Sequence, residues 1–254
     1  MINCCSLQTG SNGNCFYVET PDTRLLFDAG ISGRQAKLRL AEHQRDIHAV
    51  DALLISHHHQ DHVGHAGVFN RVFKIPMHIS AASWRICKKK LGRMNSVNYF
   101  DPGQTLQFKD TTIVTIATPH DGMGSVAFII SYQDKNLGIF TDLGHCFDEL
   151  GPGIAQLDAV FLESNYDPIM LADGSYPPSL KERITGNGGH ISNQQASQVI
   201  KDYGQRLQFV VLSHLSEHNN TPELAINTAR EILGDDLAIH VGSRSQVSAM
   251  FEII

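Results

Sequence analysis

No stretch of eighteen apolar residues occurs anywhere in the 254-residue chain, so nothing in it reads as a membrane-spanning helix. The opening MINCCSLQTGSNGNC lacks both the basic region and the continuous apolar region of a secretory leader. The five cysteines (Cys4, Cys5, Cys15, Cys87, Cys146) are odd in number and show no CxxC spacing. That excludes a disulfide framework and a cysteine-type zinc site, and it fits idle thiols in a reducing cytoplasm. No repeat of fixed period and no low-complexity linker divides the chain, which reads as one domain over residues 1–254. Basic residues are not in excess: 20 Lys+Arg stand against 26 Asp+Glu, for a net charge of −6. Hydrophobic residues at 42% and charged residues at 18% exclude a disordered or fibrous chain. Histidine is the exception to these shortages, with 14 residues. That is roughly twice average usage, and neutral imidazole is the commonest metal ligand.

Short runs rich in Val, Ile, Phe and Thr read as strands: NCCSLQ, CFYVET, RLLFDAG, DALLIS, TIVTIATP, SVAFIISY, LGIFTDL, AVFLES, QFVVLSH and LAIHVG. Helical patterns lie between them. Ser32 opens one, Ser192 opens another with Gln195 completing a capping box, and Thr221-Pro222-Glu223 starts a third that stops at Gly234. Early hairpins followed by strand–helix alternation imply an α/β layered fold. Several strands run straight into chemically useful residues, at Ser56-His57, Pro119-His120, Thr141-Asp142, Glu163-Ser164-Asn165 and Ser213-His214. A rigid sheet holds groups at such ends in place.

The segment His57-His58-His59-Gln60-Asp61-His62 directly follows the apolar run ALLI. In extended backbone, residues two apart point the same way, so His57 and His59 can grip one cation. Asp61 and His62 can reach a second as the chain turns. Asp142 could bridge both ions, while His120 and His214 would complete one each. Imidazole with carboxylate suits Zn²⁺, Mn²⁺ or Fe²⁺ rather than Ca²⁺ or Mg²⁺. His58 and Gln60 alternate away and read as loop supports. His65 reads as a packing or capping group near the ligands, His145, close to Asp142, as a candidate proton donor or substrate contact, and His43, His48, His78 and His240 as structural or surface residues.

The ordered set Asp28, His57 to His62, His120, Asp142 and His214 resembles the motifs of the metallo-β-lactamase-fold hydrolases, across nearly the whole chain. The resemblance implies an αββα four-layer sandwich of the metallo-β-lactamase type. It also implies two divalent ions at one edge and a bridging hydroxide as nucleophile. It places His57, His59 and His120 on one ion, Asp61, His62 and His214 on the other, Asp142 between them, and Asp28 behind the loop. Gly10-Ser11-Asn12-Gly13-Asn14, Gly189-His190-Ile191-Ser192-Asn193 and Ser213-His214-Leu215-Ser216 resemble the nucleic-acid-processing branch, nearest the YycJ/WalJ-type exonucleases. That implies a phosphodiesterase trimming single-stranded or nicked DNA from the 5′ end, with RNA an alternative substrate. In that branch the chain departs at Asn165-Tyr166-Asp167, where Asn-His-Asp is usual.

Phosphodiester chemistry then assigns catalytic roles to Asp61, which holds the nucleophile, and to His190 and His218, as phosphate contacts or proton donors. Ser192 and Asn193 at a helix start, with Gly188-Gly189-His190 before them, offer N–H groups to a phosphate; Asn165 is a further substrate contact. Arg85, Lys88, Lys89, Lys90 and Arg93 crowd one segment beside Trp84, the single tryptophan. Either that segment binds nucleic acid with Trp84 stacking on a base, or it is a solvated helix face over a core Trp. A glyoxalase-II-like ester, thioester or lactone hydrolase on the same centre is the alternative function. A metal-binding protein without turnover is a third reading.

Overall fold

The computed structural model describes residues 1–254. The chain builds β1 (Ile2–Gln8), β2 (Cys15–Glu19), β3 (Arg24–Phe27), β4 (Ala52–Ile55), β5 (Met77–Ser80) and β6 (Val97–Phe100) into one sheet. It then builds β7 (Thr105–Phe108), β8 (Thr111–Ala117), β9 (Val126–Tyr132), β10 (Lys135–Phe140), β11 (Ala159–Glu163), β12 (Phe209–Ser213) and β13 (Ala238–Val241) into a second. The last strand, β14 (Phe251–Ile253), returns to pair antiparallel with β1, so each sheet has seven strands. The helices are α1 (Gly33–Glu42), α2 (Gln60–Val63), α3 (Ala66–Val72), α4 (Ala81–Leu91), α5 (Leu150–Ala155), α6 (Pro168–Asp173), α7 (Pro178–Thr185), α8 (Asn193–Tyr203) and α9 (Pro222–Leu233). None is long and apolar enough to cross a membrane.

Both sheets are mixed. Strands β3 to β6 are parallel in the first, and β10 to β13 in the second. The remaining pairs are antiparallel. Burial explains why the central parallel strands β3, β4, β10, β11 and β12 read as apolar runs: both faces are covered. Along β2, Phe16 and Val18 face the second sheet, while Cys15 and Tyr17 face the outer helices. Phe16 against Phe161 and Phe27 against Phe128, each with ring centroids 5.1 Å apart, lock the inner faces together. Helices α1, α3 and α4 cover the first sheet through Ala36, Leu40, Phe69, Cys87 and Leu91. Helices α5, α8 and α9 cover the second through Leu150, Ile154, Ala196, Ile200, Ala225 and Ala229. The layers are therefore helix, sheet, sheet, helix, as expected.

The ten apolar runs all coincide with strands. Four strands had no such signal. β6, β7 and β14 are short and alternate with exposed residues near a sheet edge, and β5 carries His78 and Ser80 in a four-residue run. The capping residues fall where the sequence puts them. Ser32 and Ser192 form capping boxes with Gln35 and Gln195, and Thr221 caps α9, each cap contributing about 1 kcal/mol. α7 is unlike the other long helices in contributing no buried residue.

Candidate metal centre

One edge of the sandwich collects the ends of strands from both sheets. Asp28 follows β3 and His57 follows β4 in the first; Asp142 follows β10 and His214 follows β12 in the second. His59 precedes α2, which carries Asp61 and His62, and His120 lies three residues beyond β8. Asp28, Asp142 and His214 take left-handed backbone conformations, with φ of 63°, 55° and 55°. Such conformations cost energy in residues other than glycine and cluster at functional sites. Here each turns a side chain out of its strand toward the shared edge.

Seven side chains named from the sequence converge there. Ligand atoms of His57, His59 and His120 lie within 4.8 Å of one another, as do those of Asp61, His62 and His214. The rings of the first three stand nearly perpendicular in pairs, at 77° to 81°. Asp142 lies between the groups. Its Oδ1 is 3.7 Å from His120 Nε2, and its Oδ2 is 2.7 Å from His62 Nε2 and 3.6 Å from His214 Nε2. One carboxylate thus presents an oxygen to each trio.

The hydrogen-bond pattern tests whether these groups fit cations. His62 Nδ1 is 2.7 Å from Asp28 Oδ2, and His120 Nδ1 is 3.0 Å from the Gly189 carbonyl. Both partners only accept, so each imidazole carries a proton on Nδ1; that leaves His120 Nε2 to act as a lone pair, while His62 Nε2 faces the Asp142 carboxylate at 2.7 Å. His59 is the reverse: its Nε2 is 3.2 Å from Asp121 Oδ1, and its Nδ1 is 3.2 Å from His120 Nε2. Ser56 Oγ is 2.9 Å from both Asp28 oxygens and donates to them, and it receives His57 Nδ1 at 3.0 Å. That leaves His57 Nε2 buried without a partner, and Asp142 Oδ2 faces only imidazole nitrogens, the nearest being His62 Nε2 at 2.7 Å. In the first trio inward lone pairs with outward protons are what a divalent ion needs, and in the second an ion would replace protons held between imidazole and carboxylate, so the donor set fits a pair of ions.

The two trios differ in charge. Burial, helped by neighbouring imidazoles, drives His57 well below the usual imidazole value, and burial takes His59 down to about 4. Burial also opposes the charged forms of His62 and His214, but carboxylates outweigh it. Asp142, Asp28 and Asp61 raise His62 well above its usual value, and Asp142 with Asp61 raises His214 to about 10. Burial works against ionised Asp61 and Asp142, yet the imidazoles of His62 and His214 hold both carboxyls below the ordinary range. His57 and His59 are ready to donate; the second trio holds protons where a cation would sit.

Beside this floor, His190 Nδ1 is 2.6 Å from Oε1 of the fully buried Glu163, whose Oε2 receives the Leu143 N–H at 2.9 Å. Nε2 is the ring's remaining nitrogen, and His190 lines a cleft of about 390 Å³ above Asp61, His120, Asp142 and His214. Asn165 also lines it, donating to the His214 carbonyl at 2.8 Å.

Other expected substrate residues fall elsewhere. Ser192 is buried, and its hydroxyl is committed to the Gln195 N–H. The amide of Asn193, fully buried, bonds to Ser164 and Asn220, and the backbone N–H groups of Ser192 and Asn193 go to Gln195 Oε1 at 2.9 Å and the Tyr166 carbonyl at 3.0 Å, so both N–H groups already have partners. His218 is exposed and stands edge-on to Tyr176 at 5.8 Å, away from both trios. Trp84 packs against the core beneath α4, which is the structural alternative for that residue, while Lys88, Lys89 and Lys90 face solvent. His145 donates to the Asn187 carbonyl at 2.6 Å. The sequence reading gave Asn14 no role beyond its Gly10–Asn14 segment and missed Asp121 and Arg183. Asn14 is 3.0 Å from His62 Nε2, and Asp121 and Arg183 pair on the cleft wall. Asp121 directly follows His120, the one local signal available for it.

A two-sheet sandwich flanked by helices, with a His/Asp cluster for divalent metal at one edge of the sheets, defines the class. Residues 9–169 match the family described as the metallo-beta-lactamase superfamily. The chain belongs to the metallo-β-lactamase superfamily. It is 34% identical over 241 residues to the exodeoxyribonuclease WalJ of Streptococcus pneumoniae, covering 92% of this chain and 90% of that one. It is 30% identical over 230 residues to the exodeoxyribonuclease YycJ of Bacillus anthracis, covering 89% and 87%. Among solved structures, the metallo-β-lactamase-fold protein YhfI of Bacillus subtilis superposes with a TM-score of 0.77, at 16% identity over 98% of this chain and 100% of that one.

Proposed function

We propose that the protein is a 5′-to-3′ DNA exonuclease that works with two divalent ions, manganese or zinc. The observation that carries the reading is Asp142, which offers one oxygen to each trio, in a chain whose full-length relatives bear the name exodeoxyribonuclease. His57, His59 and His120 would hold one ion, Asp61, His62 and His214 the other, with Asp142 between. When bound, such ions supply an activated water at neutral pH and Lewis-acid stabilisation of phosphoryl oxygens.

The chain's own residues do the rest. Asp28, Asp121 and the Gly189 carbonyl hold protons on the outer nitrogens and fix which nitrogen faces inward. Asn165 anchors the His214 backbone. Glu163 grips Nδ1 of His190, so Nε2 can pass a proton to the departing 3′ oxygen. His190 fills that role, not His218, which stands outside the cleft. Asn165 is the one retained substrate contact of the three expected. Apolar lining is confined to Tyr176, Leu180 and Ile184, which offers no enclosed slot for an acyl chain and sets the ester or thioester alternative behind.

The test is digestion of 5′-labelled and 3′-labelled single-stranded DNA with Mn²⁺, with Zn²⁺ and with chelator, beside Asp61→Ala. Metal-dependent release of 5′ mononucleotides, absent in the variant, is expected. Intact DNA under every metal, with thioester or lactone turnover instead, would overturn the reading.

A further inference from the structure

α7 has an apolar stripe but no core beneath it. Leu180 and Ile184 lie four residues apart on one helical face, with Arg183 beside them and Tyr176 just before the helix. None is buried, and all four line the cleft above the metal cluster. The helix is held by its ends rather than its face. Lys181 Nζ bonds the Ala172 carbonyl at 2.6 Å, and the Ile184 carbonyl receives the His190 N–H at 2.9 Å. The chain then runs through Gly189, where a Cβ would meet the Ile184 carbonyl oxygen at 2.1 Å. α7 is therefore pinned to the stretch carrying His190 and the Gly189 carbonyl that holds His120.

Arg183 is the only Lys or Arg lining the cleft. Its Nη2 and Nε lie 2.7 and 3.1 Å from Asp121 Oδ2, while Asp121 Oδ1 faces His59 Nε2 at 3.2 Å and His120 Nε2 at 3.4 Å. The pair is open to water, with the Arg183 side chain 64% exposed. Such a pair is weak enough to be exchanged. A phosphate entering the cleft meets a planar guanidinium suited to it. Asp121 would keep its other oxygen on His59 throughout.

Resting on the exonuclease reading, the geometry points to the α7 wall as the subsite for the nucleotide next to the scissile phosphate. Arg183 takes that nucleotide's phosphate in place of Asp121, and its base lies against Tyr176 and Leu180. A half-buried aromatic and a flat aliphatic wall accept any base, so the subsite grips DNA without reading sequence. The chain's net charge of −6 makes one cation at the cleft count for more.

The test compares a short single-stranded oligodeoxynucleotide with bis(p-nitrophenyl) phosphate, which has no flanking nucleotide, on the metal-loaded enzyme. Arg183→Ala is expected to raise KM for the oligonucleotide about tenfold, one charge-assisted contact, with kcat moved far less. The slope of log KM against log salt should flatten by about 1. Arg183→Lys should restore part of the loss, and Tyr176→Ala should raise the same KM while Tyr176→Phe does not. Equal losses on both substrates would overturn the subsite and put Arg183 to work through Asp121 on the metal ligands. No change in either KM would overturn it as well. A wild-type enzyme that hydrolyses the small diester but no oligonucleotide would sink the exonuclease reading itself.

Discussion

Asp28 Oδ2 lies 2.7 Å from Nδ1 of His62, and that contact decides which nitrogen of a fully buried ring is left for a cation. The same carboxylate receives the Ser56 N–H at 2.8 Å and the Ser56 hydroxyl, which in turn accepts from His57. One aspartate in a left-handed turn thus sets the proton on a histidine of each trio.

Asp28→Asn follows directly. An amide of the same shape can present only one acceptor oxygen, so either Ser56 or His62 loses its partner. Metal affinity should fall about 10- to 100-fold. The orphaned buried group should cost about 1–3 kcal/mol. Metal content after dialysis and the thermal midpoint report the two effects separately. Wild-type metal retention would refute the role given to Asp28.

Metal loading should proceed in two steps that differ in their protons. The first trio has His57 and His59 neutral, whereas His62 and His214 are held protonated by Asp142, Asp28 and Asp61. Uptake of the second ion should therefore release protons. Calorimetry in two buffers of different ionisation enthalpy should give heats that diverge for that ion; buffer-independent heats for both would disprove it. The sign for stability follows from His214, raised in the folded chain to about 10. In chelator-treated protein its contribution is full below the unfolded value of about 6.5 and is lost as pH rises toward 10. Ion binding should tighten across the same interval as the competing proton leaves.

The sequence discloses the site's floor more readily than its walls, for a physical reason. His57 to His62 are contiguous, and His120, Asp142 and His214 each end an apolar run, so strand periodicity alone aims them at one edge. Arg183 matters through tertiary contacts that no local pattern announces, and Asp121 and Asn14 have only their places after His120 and in the Gly10–Asn14 segment to mark them. Ser192 and Asn193 mislead for the opposite reason: a capping box looks the same whether its helix start meets a phosphate or the buried amides of Asn193 and Asn220. His218 follows His214 by four residues, but the chain turns outward between them. In the fold, burial on both faces makes the central strands conspicuous, whereas the exposed alternation of β6 and β7 resembles loop.

A change far from the cleft serves as a contrast. Arg45 engages both oxygens of Glu19, and the Tyr17 hydroxyl donates to the same carboxylate at 2.8 Å. Burial opposes the Glu19 charge, but Arg45 and Tyr17 hold the carboxyl below its usual value. Its contribution is therefore present above pH 4.5 and lost as pH falls through the depressed folded value. Arg45→Met should cost about 2 kcal/mol near neutrality, less than a fully buried pair because Arg45 is partly exposed, and the difference from wild type should shrink in acid. DNA cleavage below the melting temperature should not change. An unshifted midpoint would refute the pairing.

Glu163→Gln separates proton transfer from metal binding. Glu163 accepts from His190 on one oxygen and from the Leu143 N–H on the other, so the amide keeps the shape but removes the charge and leaves one acceptor oxygen for the two donors. That charge faces Nδ1 of the ring that must hold a proton on Nε2 until the 3′ oxygen leaves. An alkoxide leaving group needs that proton, whereas p-nitrophenolate departs without it. Turnover of DNA should therefore fall about 100-fold or more, with a far smaller loss on bis(p-nitrophenyl) phosphate. The metal content should stay at the wild-type level. Equal losses on both substrates would mean that Glu163 acts on the metal cluster through His214, whose Nδ1 lies 3.8 Å away, and would remove His190 from the proton path.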